Sequence, residues 1–197
     1  MQKSEHLDRC LEKTKSRLLE MQTAASLADL EEAWTSLVHD LDRLWNKAHS
    51  HYGKSPKWSG WVGRFTAVRR KDSLLSYLMH ARNTDEHTVS PITERTGGSV
   101  VSNPKDRSRP MFIKSAVITS NSIKIEGDNI VTTFRPGRVA LLPVVDREGR
   151  AHAVPTQHLG APMDPSNVLE AARLAVSWYA RLIAEAEEFF CGPSLGR

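Results

Sequence analysis

The stretch "LADLEEAWTSLVHDLDRLWNKA", residues Leu27 to Ala48, carries apolar side chains at Leu27, Leu30, Trp34, Leu37, Leu41, Leu44 and Ala48, alternating by three and four without a break. That spacing puts all seven on one stripe of an α-helix, and so long a stripe packs lengthwise against other helices. The stretch therefore predicts a helical bundle. This second helix is expected to stop near Lys47, because "SHYGKSPKWSGWVG" (50–63) is rich in turn formers.

The same grammar extends in both directions. Residues 4–22 align Leu7, Cys10, Leu11, Thr14, Leu18 and Met21 behind a Ser4 cap, which predicts a first helix, with a break at 23–26. Asp72 caps a third helix whose inward face is Leu74, Leu75, Leu78 and Ala81, and Pro91 forbids its continuation. Asp164 as cap, Pro165 at the first helical position and Gly192 at the stop bracket a final helix. Its inward positions are Val168, Ala172, Ala175, Tyr179, Leu182, Ala186 and Phe189.

Between the third and final helices the pattern changes to β-branched runs: "FIKSAVITS", "SIKIEG", "IVTTF", "VALLPVV" and "AHAVP". Their separators are Asn121, Gly127-Asp128-Asn129, Pro136-Gly137 and Asp146-Arg147-Glu148-Gly149. The expected fold is mainly α (α+β): a four-helix bundle from 1–90 and 163–192, with an antiparallel β-meander inserted at 111–155. Residues 91–110, rich in Gly, Ser and Pro, are expected to form a flap near the end of the third helix.

The 197 residues suit a single domain, and 40% hydrophobic with 25% charged residues excludes a disordered or fibrous chain. Cys10 and Cys191 have no CxxC partner, and the amino terminus "MQKSEHLDRCLEKTK" lacks the apolar core of a signal peptide. With no apolar run of membrane-spanning length, the expectation is a soluble cytoplasmic protein with no membrane partner.

Charge is unevenly placed. Arg43 to Lys71 holds eight lysines and arginines and no acid, so the remainder, with 19 basic and 23 acidic residues, is net −4. Trp45, Tyr52, Trp58, Trp61 and Phe65 are interleaved with those cations. Cations that neutralise phosphates beside rings that stack on bases suit a single-stranded nucleic acid. The candidate nucleic-acid-binding residues are Lys54, Lys57, Trp58, Trp61, Arg64, Arg69, Arg70 and Lys71. A basic surface loop whose tryptophans enter the core is the competing reading.

The third helix ends in "ARNTDEH" (81–87), an unusually polar finish for an apolar helix. Asn83 and His87 share a face at i,i+4, and Arg82 continues the side of Leu75 and Leu78. A guanidinium seeks an anion, and an imidazole exchanges protons near neutral pH. Together they offer what RNA transesterification needs: proton transfer and stabilisation of charge on phosphorus. The simpler role is a local ion pair between Arg82 and Glu86 at i,i+4.

Arg82-Asn83-Thr84-Asp85-Glu86-His87 resembles the R-x-x-x-x-H motif of the HEPN superfamily, in which a polar residue follows the arginine. The resemblance covers six residues and implies an all-α bundle, commonly dimeric and often a metal-independent ribonuclease of toxin–antitoxin, CRISPR-associated or other defence systems. It implies that Arg82 binds or polarises the scissile phosphate, Asn83 orients the phosphate or the histidine, and His87 transfers protons. It also implies a homodimer whose two motifs face each other, an RNA substrate and, in a toxin setting, a cognate protein partner. The inserted sheet departs from the minimal family fold. The alternative function is a non-catalytic bundle that binds nucleic acid or protein.

No cofactor is expected, since GxxxxGK[ST], GxGxxG and GxSxG are all missing. No metal is expected either: His49-x-His51, His80 and His87 lie outside any HExxH or Cys/His quartet, and the Glu-x-x-His pairs of di-iron bundles are absent.

Overall fold

The computed structural model describes residues 1–87, 90–118 and 123–192. The fold class is α+β. The chain divides into two compact units: Met1–Arg95 with Val139–Arg197 form the first, and Thr96–Arg138 the second.

The first unit holds five helices among the described residues, one more than the sequence pattern suggested. They are α1 (Glu5–Gln22), α2 (Leu27–Tyr52), α3 (Trp58–Lys71), α4 (Ser73–His87) and α5 (Val168–Cys191). The Ser4 hydroxyl accepts from Leu7 N–H, and the Ser26 hydroxyl from Asp29 N–H, so both start as local capping chemistry dictates. The stripe of α2 supplies core residues Trp34, Leu37, Leu41, Leu44 and Ala48, packed against α1, α5 and α4.

Three helix boundaries depart from expectation. The second helix runs on to Tyr52 because Tyr52 lies one turn beyond Ala48 and both are fully buried. Residues 58–71, expected as loop, are helical because Trp58, Val62, Phe65 and Arg69 make a buried stripe. Gly60 and Gly63 lower helix propensity there, but tertiary burial overrides it. The cap of α5 is Asn167, whose side chain accepts from Glu170 N–H; Asp164 instead accepts from Ser166 N–H and Ser166 Oγ in the preceding turn. Phe190 is the buried residue at the end of α5, and Phe189 is exposed.

Among the described residues the strands form separate two-stranded pairs and not a continuous meander. β1 (Thr93–Thr96) pairs with β6 (Arg138–Leu141); in the first unit β7 (Val144–Val145) pairs with β8 (Ala151–His152), and β9 (Gln157–His158) with β10 (Ala161–Pro162). Tyr77 of α4 fastens the first of these pairs, its hydroxyl lying 2.7 Å from Leu142 O and 3.2 Å from Ile92 O.

In the second unit β2 (Ser99–Pro104) pairs with β5 (Ile130–Arg135), and β3 (Phe112–Ile118) with β4 (Ile123–Asp128). Residues 91–110 thus contribute two strands where a flap was expected. Gly127-Asp128-Asn129 is a kink between β4 and β5, with Asn129 at φ 54°. Asn129 is buried, its Oδ1 accepting from Asp106 N–H while its Nδ2 donates to the Asp106 and Arg109 carbonyls. Phe112, Ile113, Val117, Val131 and Phe134 are exposed. The expected turn at Asn121 lies outside the described residues. Among the described residues no helix is long and apolar enough to cross a membrane.

Candidate functional site

The polar terminus of α4 is presented by a well-anchored helix. Asp72 Oδ1 accepts from Leu75 N–H at 2.9 Å and also meets His158 Nδ1 at 2.9 Å, while Oδ2 accepts from Leu159 N–H at 2.6 Å. Burial raises the Asp72 pKa, but the Leu159 and Leu75 N–H groups and His158 outweigh it and hold the carboxyl below its ordinary value. Leu74, Leu75, Tyr77, Leu78, Ala81 and Thr84 bury one face, leaving Asn83 and His87 exposed and Arg82 half-buried.

Arg82 and His87 converge on one carboxylate oxygen. Glu86 Oε2 lies 2.6 Å from Arg82 Nη1 and 3.7 Å from His87 Nε2. Arg82 Nη1 also donates to Asn83 Oδ1 at 3.1 Å, and Arg82 Nε lies 3.5 Å from Asp42 Oδ2 on α2. The i,i+4 ion pair expected between Arg82 and Glu86 is therefore present, and Asn83 contacts the arginine.

Arg82 and Glu86 also line a groove of about 550 Å³ with residues of α1 and α2. Lys13, Arg17, Arg43 and Lys47 add four cations to Arg82, against the carboxylates of Asp40, Asp42 and Glu86. His39 lines the same groove, with its Nε2 2.7 Å from Asp85 Oδ2. His87 is not among the lining residues. The His39–Asp85 pairing gave no sequence signal, because its partners are 46 positions apart. Lys13 pairs with Asp40 at 2.9 Å. An anion with several oxygens can be met in this groove by guanidinium and ammonium groups and an imidazole oriented by a carboxylate.

The expected nucleic-acid-binding residues separate into two groups. Trp58 and Arg69 are buried, so neither is a surface contact. Trp58 stacks on Tyr52 at 5.4 Å and donates from Nε1 to His49 Nδ1 at 3.2 Å. Arg69 donates from Nε to the Tyr179 hydroxyl at 3.0 Å and from Nη2 to Asp42 Oδ1 at 2.8 Å, with its Cζ 4.6 Å from the Trp45 ring centre. With Trp45, Tyr52 and Phe65 also buried, most rings of this segment are core. Lys54, Lys57, Arg64, Arg70 and Lys71 are exposed, and Trp61 is half-buried. Arg64 pairs with Glu185 at 2.7 Å and lies 4.8 Å from the Phe65 ring centre.

Cys10 and Cys191 are both free thiols. His49 and His51 join no group of metal-ligand type among the described residues; such a group forms instead from His80, Asp146 and His152. Compared with family models, curated proteins and solved structures, the chain matches none.

Proposed function

We propose that this chain is a HEPN-like, metal-independent endoribonuclease acting as a homodimer in the cytoplasm, with Arg82 and His87 as its catalytic residues. The supporting observation is the approach of Arg82 Nη1 and His87 Nε2 to a single anionic oxygen of Glu86. A phosphoryl oxygen of RNA takes the place of that carboxylate oxygen. Arg82 then stabilises the charge that grows on the phosphorane, and Asn83 steadies the guanidinium.

His87 takes the proton of the 2′-hydroxyl as the 2′-oxygen bonds to phosphorus. The bond from phosphorus to the 5′-oxygen breaks, and the departing oxygen is protonated, leaving a 2′,3′-cyclic phosphate and a 5′-hydroxyl. A second copy of the motif across a dimer supplies the acid for that last step. Lys13, Arg17, Arg43 and Lys47 draw flanking phosphates into the groove, and a cognate protein that covered it would silence the enzyme.

The test is cleavage of a labelled single-stranded RNA by clean protein in excess chelator, with end-group analysis. Expected are cyclic-phosphate ends and loss of cleavage in R82A and H87A, both folded by circular dichroism. Wild-type cleavage no faster than that of the double variant overturns the enzyme reading.

A second reading, binding without cleavage, is favoured by the two carboxylates already holding Arg82, Asp42 and Glu86. On that reading RNA binding weakens steeply with salt and depends on Lys13, Arg43 and Lys47, while no product forms.

A further inference from the structure

His80 and Arg82 are two residues apart on α4, a rotation of about 200° on a helix of 3.6 residues per turn, so they project to nearly opposite sides. On its own side His80 meets the β7–β8 hairpin. Val144 pairs with His152 and Val145 with Ala151, which places Asp146 at the end of one strand and His152 on the other.

Asp146 is divided between two tasks. Its Oδ1 accepts from the N–H groups of Glu148 at 3.0 Å and Arg150 at 2.9 Å, closing a turn in which Gly149 takes φ 80°. Its Oδ2 faces His152 Nε2 at 3.1 Å and Arg150 Nε at 2.9 Å.

The His80 and His152 rings lie parallel, 12° apart in plane and 3.4 Å between centres. A face-to-face sandwich sets like quadrupoles against each other and is poor in energy unless something else organises the pair. One ligand atom from each of His80, Asp146 and His152 lies within 4.8 Å of the other two. Metal–ligand bonds of about 2.0–2.2 Å in a tetrahedral set bring the donor atoms to about 3.4 Å from one another, and because an imidazole binds a metal in its own ring plane, one of the two stacked rings must turn toward the ion. The backbone is braced for this, because Thr84 of the same helix donates from Oγ1 to Val145 O at 3.1 Å. Arg150, the rival for Asp146 Oδ2, is 66% exposed and has a second carboxylate partner in Glu148, so its Nε can leave Asp146 without losing its counter-charge.

We propose that His80, Asp146 and His152 bind one divalent transition-metal ion, pinning the β7–β8 hairpin to α4. Two imidazoles and one carboxylate are borderline donors that suit Zn²⁺ and leave its fourth position to water. The three ligands come from a helix and a hairpin 66 residues further along, so no local sequence motif announces them. Its consequence here is to tie the hairpin to the helix, and the site is independent of the ribonuclease reading.

The experiment is a Zn²⁺ titration of the chelator-stripped full chain, followed by competition with a chromophoric zinc indicator and by thermal melting. Expected is one Zn²⁺ per chain, a higher melting temperature in its presence, and affinity reduced by at least about tenfold in H80Q and in H152Q. Co²⁺ in place of Zn²⁺ should give d–d absorption bands that both variants lose, while H51Q behaves as wild type. If H80Q or H152Q does not fold, D146N carries the same expectation. An absence of saturable Zn²⁺ binding overturns the proposal, as does Zn²⁺ retained by an H80Q/H152Q double variant or lost in H51Q.

Discussion

Arg69 and Asp42 form a largely buried ion pair, Nη2 to Oδ1 at 2.8 Å, between α3 and α2. The other oxygen of Asp42 lies 3.5 Å from Nε of Arg82, so one carboxylate links a core arginine to the arginine of the candidate site. Arg69 is held from a third helix as well, through Tyr179 of α5.

Removing Asp42 strands Arg69 in the core without its counter-charge. D42A is expected to cost about 2–4 kcal/mol, because the penalty of an uncompensated buried charge exceeds the net worth of the pair. Urea unfolding measures it. R69K, whose single ammonium cannot span Tyr179 and Asp42 as the guanidinium does, should lose a comparable amount. A D42A protein as stable as wild type would contradict this account.

Glu86 occupies the position assigned to a phosphate oxygen. Neutralising it in E86Q should tighten single-stranded RNA binding, and removing Arg82 or His87 should slow cleavage by about 10²–10⁴-fold. Electrophoretic mobility shift at fixed salt and initial cleavage rates read the two effects separately. Weaker binding by E86Q would show that the carboxylate supports the site.

Asp72 has three partners, two backbone N–H groups and His158. D72A removes the cap of α4 and leaves the Leu159 N–H and the buried His158 without their acceptor, an expected loss of about 2–4 kcal/mol. D72N should retain part of the cap and lie between the two. Hydrogen exchange at the start of α4 and at 157–162 should rise together in D72A; a rise at only one of them would contradict the shared anchor.

Stability should fall on mild acidification through His49. Burial, and then the Arg69 charge, depress its pKa below the ordinary value of 6.5, and Nδ1 accepts from Trp58 in the neutral form. Because the folded pKa is the lower one, the unfolded chain binds the proton first. The contribution is whole above about pH 6.5 and is lost as pH falls from there through the folded value. Urea midpoints between pH 7.5 and pH 5 should decline, and less so in H49Q.

Four of the five helices, and the caps at Ser4 and Asp72, were legible in the sequence. They rest on contacts between residues three and four apart and on side chains that bond the next turn of backbone. The basic aromatic segment misled, since its glycines and proline read as loop until burial of Trp58 and Phe65 is known. Strand pairing misled in the same way: the turn residues at 127–129 suggested a hairpin, yet β4 pairs back to β3 and β5 to β2.

By itself the sequence determined the α+β class, the course of most helices, and the Arg82–Glu86 ion pair, which lies within one turn or so of a single helix. Only the tertiary structure decided that Arg69 is a core residue, that His39 meets Asp85, that Asp42 joins Arg69 to Arg82, and that His80 meets Asp146 and His152. The physical reason is the reach of the forces involved. Helix periodicity and capping act within a few residues, whereas these partners, 27 to 110 positions apart for the Arg69, His39 and Asp42 contacts, meet only once burial of the apolar stripes has brought their helices together.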